Sequence, residues 1–188
     1  MAIQMQQLSD EELFLALGAG DDQSRRAFEL LYTRYASRVY TYCRKMLNNS
    51  ALAEDIFQET FVRLFNAARN YSGSMTNTGA YLLRIARNLC LNEKQRKYNN
   101  ALSLEELHLP VNTPSYESAE LAQLLETALD ALPDEYREAL VLKEHLGLSY
   151  NEIAGVLGTT MPIVRTRIYR AKIKLRDILA PYLEDLQK

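Results

Sequence analysis

Apolar residues recur at three- and four-residue steps along most of this chain, and nowhere do they alternate over a useful length. That periodicity excludes sheet architectures and predicts an all-α fold. The longest instance is Phe28, Leu31, Tyr32, Tyr35, Val39, Tyr42 and Met46, an aromatic-rich stripe that Asn48 and Asn49 interrupt. A stripe of this kind reads as core rather than as a cofactor box. Ahead of it, Ser9 and Glu12 form a capping box with Leu8 placed as a staple, opening a short helix that ends near Gly18 and Gly20. Behind it, Ser50 is placed to cap a third helix reaching about Arg69, a polar loop runs from Tyr71 to Gly79, and a fourth helix continues to about Tyr98.

Residues 99–118 lose this periodicity, contain Pro110 and Pro114 and carry acids, as a linker between domains does. Beyond them come a helix through Leu132, another from Pro133 that Gly147 closes, and a final helical pair. The expected organisation is two small helical domains, residues 1–98 and 119–188, joined by an acidic linker.

The final pair is the most specific local signal. Ser149 and Glu152 make a second capping box, Ile153, Ala154 and Leu157 face inward, Gly158 stands where a helix needs a left-handed residue, and Pro162 suits a first helical turn. In the second helix Val164, Ile168, Ala171 and Leu175 share one side, leaving Arg165, Thr166, Tyr169 and Arg170 on the other. A capped short helix, a glycine turn and a basic second helix form the pattern of a DNA-reading helix-turn-helix, the alternative being a solvated basic helix on any globular protein. Arginine can fork onto guanine, threonine can meet thymine methyls or phosphates, and Arg167, Lys172, Lys174 and Arg176 can pair with backbone phosphates.

A net charge of −2 argues against nucleic acid until its distribution is considered. Residues 81–100 hold five cations (Arg84, Arg87, Lys94, Arg96 and Lys97) against Glu93, and residues 159–176 hold six cations and no acid. Both blocks suit phosphate. Between them, residues 101–135 carry eight acids and no Lys or Arg, a stretch that DNA would repel.

With 188 residues, 47% of them apolar, the chain can build cores. It carries no secretory n-region or h-region and no apolar run of membrane-spanning length, so a soluble protein in the cytoplasm, without membrane insertion, is expected. Cys43 and Cys90 fall in apolar helical contexts and read as buried thiols, and His108 and His145 match no zinc spacing with them. Neither a metal nor a cofactor is indicated. No phosphate loop or nucleophile-base pair suggests an enzyme.

Two faces of the first domain remain open at this level. In the third helix Ile56, Phe57, Thr60, Phe61 and Leu64 cluster on one side, which leaves Asp55, Gln58, Glu59, Val62, Arg63 and Asn66 together on the other. An apolar residue ringed by polar groups suits a partner-binding patch, and a plain solvated face fits as well. The fourth helix buries Leu82, Ile85, Ala86 and Leu89, so Arg84, Arg87, Asn88, Leu91, Lys94 and Gln95 share its outer side. Its cations could hold phosphates, Asn88 could read a base edge, and Tyr71 and Tyr81 supply rings for an unstacked base. An ordinary charged surface with half-buried tyrosines is the alternative.

Three separated motifs together resemble the bacterial sigma factors of the extracytoplasmic-function (ECF) group. Ala53 to Phe61 (AEDIFQETF) is similar to the core-binding helix of the family's region two, and Tyr81 to Asn88 (YLLRIARN) to the motif that follows it. Leu132 to Leu140 (LPDEYREAL), Gly147 to Ala154 (GLSYNEIA) and Val164 to Ala171 (VRTRIYRA) resemble region four. The likeness covers about Ala27 to Leu179 apart from the linker. It implies a promoter-specificity subunit without catalytic chemistry, whose partners are core RNA polymerase, through the coiled coil of the largest subunit and the flap region, promoter DNA, and an anti-sigma factor.

Carried over by motif, the resemblance implies that Asp55, Gln58 and Glu59 face the polymerase coiled coil with Val62 in the same contact. Asn88 corresponds to the asparagine that captures a flipped base of the −10 element. The loop from Tyr71 to Thr78 would help form its pocket, beside Arg84, Arg87 and Tyr81. Arg165, Thr166, Tyr169 and Arg170 correspond to positions that approach the −35 element. The acidic linker would thread the polymerase channels towards the RNA exit path. The chain departs from the family at Pro162 and Ile163, where Gly-Thr is usual and a hydroxyl is lost, and at Tyr81, where tryptophan is usual. A stand-alone helix-turn-helix regulator would use the second domain but leave the Asp55, Gln58 and Glu59 patch and Asn88 without a role.

Overall fold

In the computed structural model, which describes residues 5–20, 22–101 and 117–185, every regular element among those residues is helical, as the periodicity requires. Two compact units divide the chain: the first runs to Gln95 and also takes in Gly155–Leu157, and the second holds Arg96–Ala154 and the residues from Gly158 on.

The first unit starts from α1 (Asp10–Ala16), which both bonds of the Ser9 capping box set: the Glu12 amide donates to Ser9 Oγ at 3.2 Å, and the Ser9 amide donates to Glu12 Oε2 at 2.7 Å. The serine bonds hold the Glu12 carboxyl below its ordinary pKa. A single 3-10 turn (Leu17–Ala19) leads to α2 (Asp22–Leu47), stopped by Asn48 in the left-handed region at φ 47°. Ala27, Leu31, Tyr35, Val39, Tyr42 and Met46 form the buried stripe of α2. Phe28 and Tyr32, expected within it, lie at its flank instead, with Tyr32 40% exposed. They continue into Phe57, Phe61 and Phe65 of α3 (Ser50–Arg69) through ring contacts 4.9–6.1 Å apart.

The cap of α3 is Asn49, whose side-chain oxygen accepts from the Leu52 amide at 3.0 Å, rather than the expected Ser50, which is the first helical residue. Ala53, Thr60, Phe61, Leu64 and Ala68 are its buried side. Helix α4 (Thr78–Ala101) is fastened at its start: Asn77 Oδ1 accepts from the Ala80 amide at 2.7 Å, the Thr78 amide donates to Glu11 Oε1 at 3.2 Å, and the Thr78 hydroxyl donates to the Asp10 carbonyl at 3.0 Å. Leu82, Leu83, Ala86, Leu89 and Cys90 are buried along it. Cys43 is buried too, and neither thiol forms a disulfide.

The linker expected over 99–118 is shorter at both ends, because α4 continues to Ala101 and α5 (Glu117–Asp130) has begun by residue 117. Helical hydrogen bonding carries past the point where the apolar pattern fades. The remainder of that linker, with Pro110 and Pro114, lies outside the described residues.

In the second unit Pro133 occupies the N-cap of α6 (Asp134–Leu140), which passes into one π turn (Val141–His145) that the apolar pattern had not signalled. Arg137, only 6% exposed, closes the end of α5: its Nε donates to the Leu129 carbonyl at 2.9 Å, Nη2 donates to the Asp130 carbonyl, and Nη1 lies 3.1 Å from the Asp130 carboxylate. Helix α7 (Tyr150–Leu157) carries the second capping box, with Ser149 and Glu152 bonded reciprocally at 2.7 and 3.2 Å. Gly158 takes φ 63°, ψ 39°, the left-handed cap that lets the chain turn into α8 (Met161–Asp185) within three residues. Ile153, Val156, Leu157, Val164, Ile168 and Ala171 pack inward, while Ala154 and Leu175 are only partly covered.

Candidate nucleic-acid interface and partner face

The outer side of α3 presents the set expected from its helical wheel. Asp55, Gln58, Arg63 and Asn66 are exposed, Val62 is 52% exposed, and Glu59 is partly covered. Glu59 is already committed: its Oε1 accepts from Arg63 Nε at 2.7 Å, one turn along the helix. The apolar component is larger than Val62 alone. Val62 borders a cleft of about 510 Å³ whose other walls include Phe28 and Phe65, with Arg25 and Arg69 at its margin. Sequence reasoning missed those two phenylalanines because it assigned Phe28 to the core. The signal was present, since Phe57, Phe61 and Phe65 recur at the four-residue step that carries them along one flank of α3.

On α4, Arg84 and Asn88 are exposed on the side away from Leu82, Leu83 and Ala86, and Arg87 is half-buried at its edge, one turn beyond Leu83. Tyr71 and Tyr81 both meet the fully buried Phe14 edge to face, with centroids 5.2 and 5.8 Å away. Tyr71 also donates its hydroxyl to the Ser74 carbonyl at 3.2 Å and remains 37% exposed. Phe14 thus pins both rings beside the start of α4, a role its place in the first capped helix did not announce.

On α8, Arg165, Thr166, Tyr169 and Arg170 are exposed together, opposite the buried Val164, Ile168 and Ala171. Tyr169 is 66% exposed, which is the opposite of what an aromatic contributing to the core would show. The Arg165 guanidinium lies over the Tyr150 ring at 5.4 Å, and Lys143 lies over the same ring at 5.0 Å. The Thr166 hydroxyl donates to the Pro162 carbonyl at 3.0 Å, so its methyl and lone pairs are what it offers outward. Arg170 Nη1 donates to the Tyr136 hydroxyl at 3.3 Å.

The basic block on α8 is less free than its composition implied. Arg167 is held by Glu135 at 2.9 Å and Lys172 by Glu144 at 2.8 Å, so two of the four cations expected to pair with phosphates are paired internally. The Lys172 hydrogen bond holds the Glu144 carboxyl below its ordinary range, and Glu144 raises Lys172 in return. Glu135, Tyr136 and Tyr150 are contributors that sequence reasoning missed, because they come from other helices. A groove of about 310 Å³ lies where Glu135 and Tyr136 face Pro162, Ile163, Thr166, Arg167 and Arg170. Ile163, which stands where the family's threonine is usual, is 45% exposed at its edge.

Among the described residues no three His, Cys, Asp or Glu side chains gather as metal ligands, and no helix is long and apolar enough to cross a membrane.

Residues 31–99 match the family described as Sigma-70 region 2, and residues 122–175 match Sigma-70, region 4. The chain is 36% identical over 183 residues to the ECF RNA polymerase sigma factor SigE of Mycolicibacterium smegmatis, covering 93% of this chain and 70% of that one. Its fold is similar to that of CnrH, solved in complex with the cytosolic domain of CnrY, with a TM-score of 0.70, 26% identity, and coverage of 92% and 97%. It is also similar in fold to RpoE of Bartonella quintana, solved with the anti-sigma factor NepR, with a TM-score of 0.68, 21% identity, and coverage of 81% and 96%.

Proposed function

The chain belongs to the ECF group of the sigma-70 family, subunits that bind core RNA polymerase and direct promoter recognition, and from that premise we propose how its residues divide the work. Residues 1–98 serve core binding and the −10 element, and residues 119–188 serve the −35 element. Asp55, Gln58, Glu59 and Val62 form the polymerase contact on α3. Asn88 captures an extruded −10 base, with Arg84 and Arg87 on the strand and with Tyr71 and Tyr81 lining its pocket. Extrusion costs about a few kcal/mol, which contacts to the exposed single strand offset. Arg165, Thr166, Tyr169 and Arg170 read the −35 duplex.

The observation that carries this reading is the grouping of Arg165, Thr166, Tyr169 and Arg170 on one exposed face of a helix entered through a left-handed glycine. Side chains arranged in this way can enter a major groove while the opposite stripe stays in the core. The chain acts by binding rather than by turnover, and it works in the cytoplasm, where polymerase and promoter are. An anti-sigma factor is its regulatory partner, as NepR is for the Bartonella protein.

Transcription from duplex promoter, reconstituted with purified core polymerase, tests the reading. Specific transcripts are expected only when chain and core are both present, with starts that define a −10 and a −35 element. Tight, specific binding of the promoter duplex by the chain alone would favour a stand-alone regulator instead.

A further inference from the structure

We propose that Tyr136 is a specificity-determining residue of the −35 contact, a positioning residue that presents the Arg170 guanidinium while its neighbour Glu135 withdraws Arg167. This inference rests on the reading that Arg170 touches a −35 base.

The two contacts come from consecutive residues of α6 and reach two cations one turn apart on α8. They differ in chemistry. Glu135 holds Arg167 at 2.9 Å with a carboxylate, so this surface pair is neutral and the cation is already matched within the chain. Tyr136 holds Arg170 at 3.3 Å with a phenol oxygen, which accepts one N–H and removes no charge. Arg170 therefore keeps its full charge and four of its five N–H donors for an outside acceptor. An arginine bonded through Nη1 alone retains the Nε and Nη2 edge, which has the spacing to fork onto guanine O6 and N7.

The tyrosine is suited to this by its stiffness. It starts from a helix whose next three residues, Arg137, Glu138 and Ala139, are buried, and its ring has two side-chain torsions where arginine has four. A flexible guanidinium would have to be ordered when DNA binds. One ordered beforehand loses less, and it points one way, which narrows the base pairs it can satisfy. Pro162 and Ile163 line the same groove as Tyr136 and Arg170, so the altered start of α8 and the Tyr136 contact bound the same surface.

The test uses the full chain with core polymerase and a promoter panel in which each −35 base pair is replaced in turn. Arg170→Ala first identifies the base pair that Arg170 reads. Tyr136→Phe, which keeps the ring and removes only the hydroxyl, is expected to lower discrimination at that pair by about three- to tenfold and to leave the other pairs unchanged. It should add nothing in the Arg170→Ala background, the signature of two residues acting as one unit. Discrimination is a ratio between promoters, so any loss of folded protein cancels. If Arg170→Ala leaves every −35 pair unaffected, the underlying reading of Arg170 fails. If Arg170→Ala is selective but Tyr136→Phe is silent, sharpens discrimination, or acts additively with it, the role of Tyr136 alone is overturned.

Discussion

The phenol of Tyr35 donates a hydrogen bond to the Asp10 carboxylate, tying the long α2 to the short α1 across 25 residues of chain. Arg34, the preceding residue, pairs with the same carboxylate. Burial raises the Tyr35 pKa well above the ordinary tyrosine value, and the hydrogen bond to Asp10 raises it further. The folded state therefore favours the neutral phenol. The stability this contributes is complete below the unfolded pKa of about 10 and is lost as pH rises from there through the higher folded value. Tyr35→Phe should cost about 1 kcal/mol near neutral pH. Its stability should also fall less steeply than that of the parent between about pH 9 and 11, as followed by urea unfolding at each pH. Parallel curves for the two proteins would contradict the assignment.

Gly79 sits against the same tyrosine. A Cβ at this position would lie 2.8 Å from the Tyr35 hydroxyl and 2.9 Å from its Cε1, closer than real contacts allow. Gly79→Ala must therefore displace either the ring or the start of α4, at a cost of about 1–3 kcal/mol. Because Thr78 is bonded to Glu11 and Asp10, a shift there passes into the helix that carries Asn88. Slower promoter opening is expected from folded Gly79→Ala, measured by the fluorescence of a probe at the −10 element. A variant as stable as the parent would mean that Tyr35 moves without resistance.

What the sequence made legible was local. Both capping boxes are serine-to-glutamate patterns three residues apart, and both form, because all their partners lie in one turn. The exposed faces of α3 and α8 follow from helical geometry alone once the buried stripe is known. Asn49 displaced Ser50 as the cap of α3 because left-handed Asn48 leaves Asn49 extended and aimed at the Leu52 amide, and two adjacent residues of capping type cannot be ranked from pattern. The contacts that were not legible are those set by packing between helices: Phe14 under Tyr71 and Tyr81, Glu135 on Arg167, and Tyr136 on Arg170. No spacing rule joins residues 34 positions apart, and charge counts overstated the free cations of α8 for that reason.

Arg137 should be the residue of α6 least tolerant of change. Its three nitrogens satisfy the last two carbonyls of α5 and the Asp130 carboxylate from a site with almost no solvent. Arg137→Met fills similar volume but removes the Arg137 donors from the Asp130 carbonyl and carboxylate, while the Leu129 carbonyl keeps the Leu132 amide at 3.1 Å, for a cost of about 1–3 kcal/mol. Arg137→Lys keeps the charge but lacks the planar fork, so it should recover only part of that loss. Thermal unfolding of the two variants checks the order, and equal melting points for lysine and arginine would show that charge alone suffices.

Charge and apolar contact on α3 can be separated by salt. Asp55 offers an exposed carboxylate, whereas Glu59 is held by Arg63, so reversal at Asp55 should weaken core binding more than removal of charge at Glu59. Asp55→Lys is expected to cost about tenfold in affinity at low salt, and this loss should shrink as ionic strength rises and the Debye length falls. Val62→Ser removes apolar area from the rim of the Phe28 and Phe65 cleft, and its cost should be independent of salt. Competition for core polymerase against a labelled parent chain, run across a salt series, measures all three. If Val62→Ser binds as the parent does while Asp55→Lys fails, the polymerase contact is electrostatic and the cleft beside it lies outside the interface.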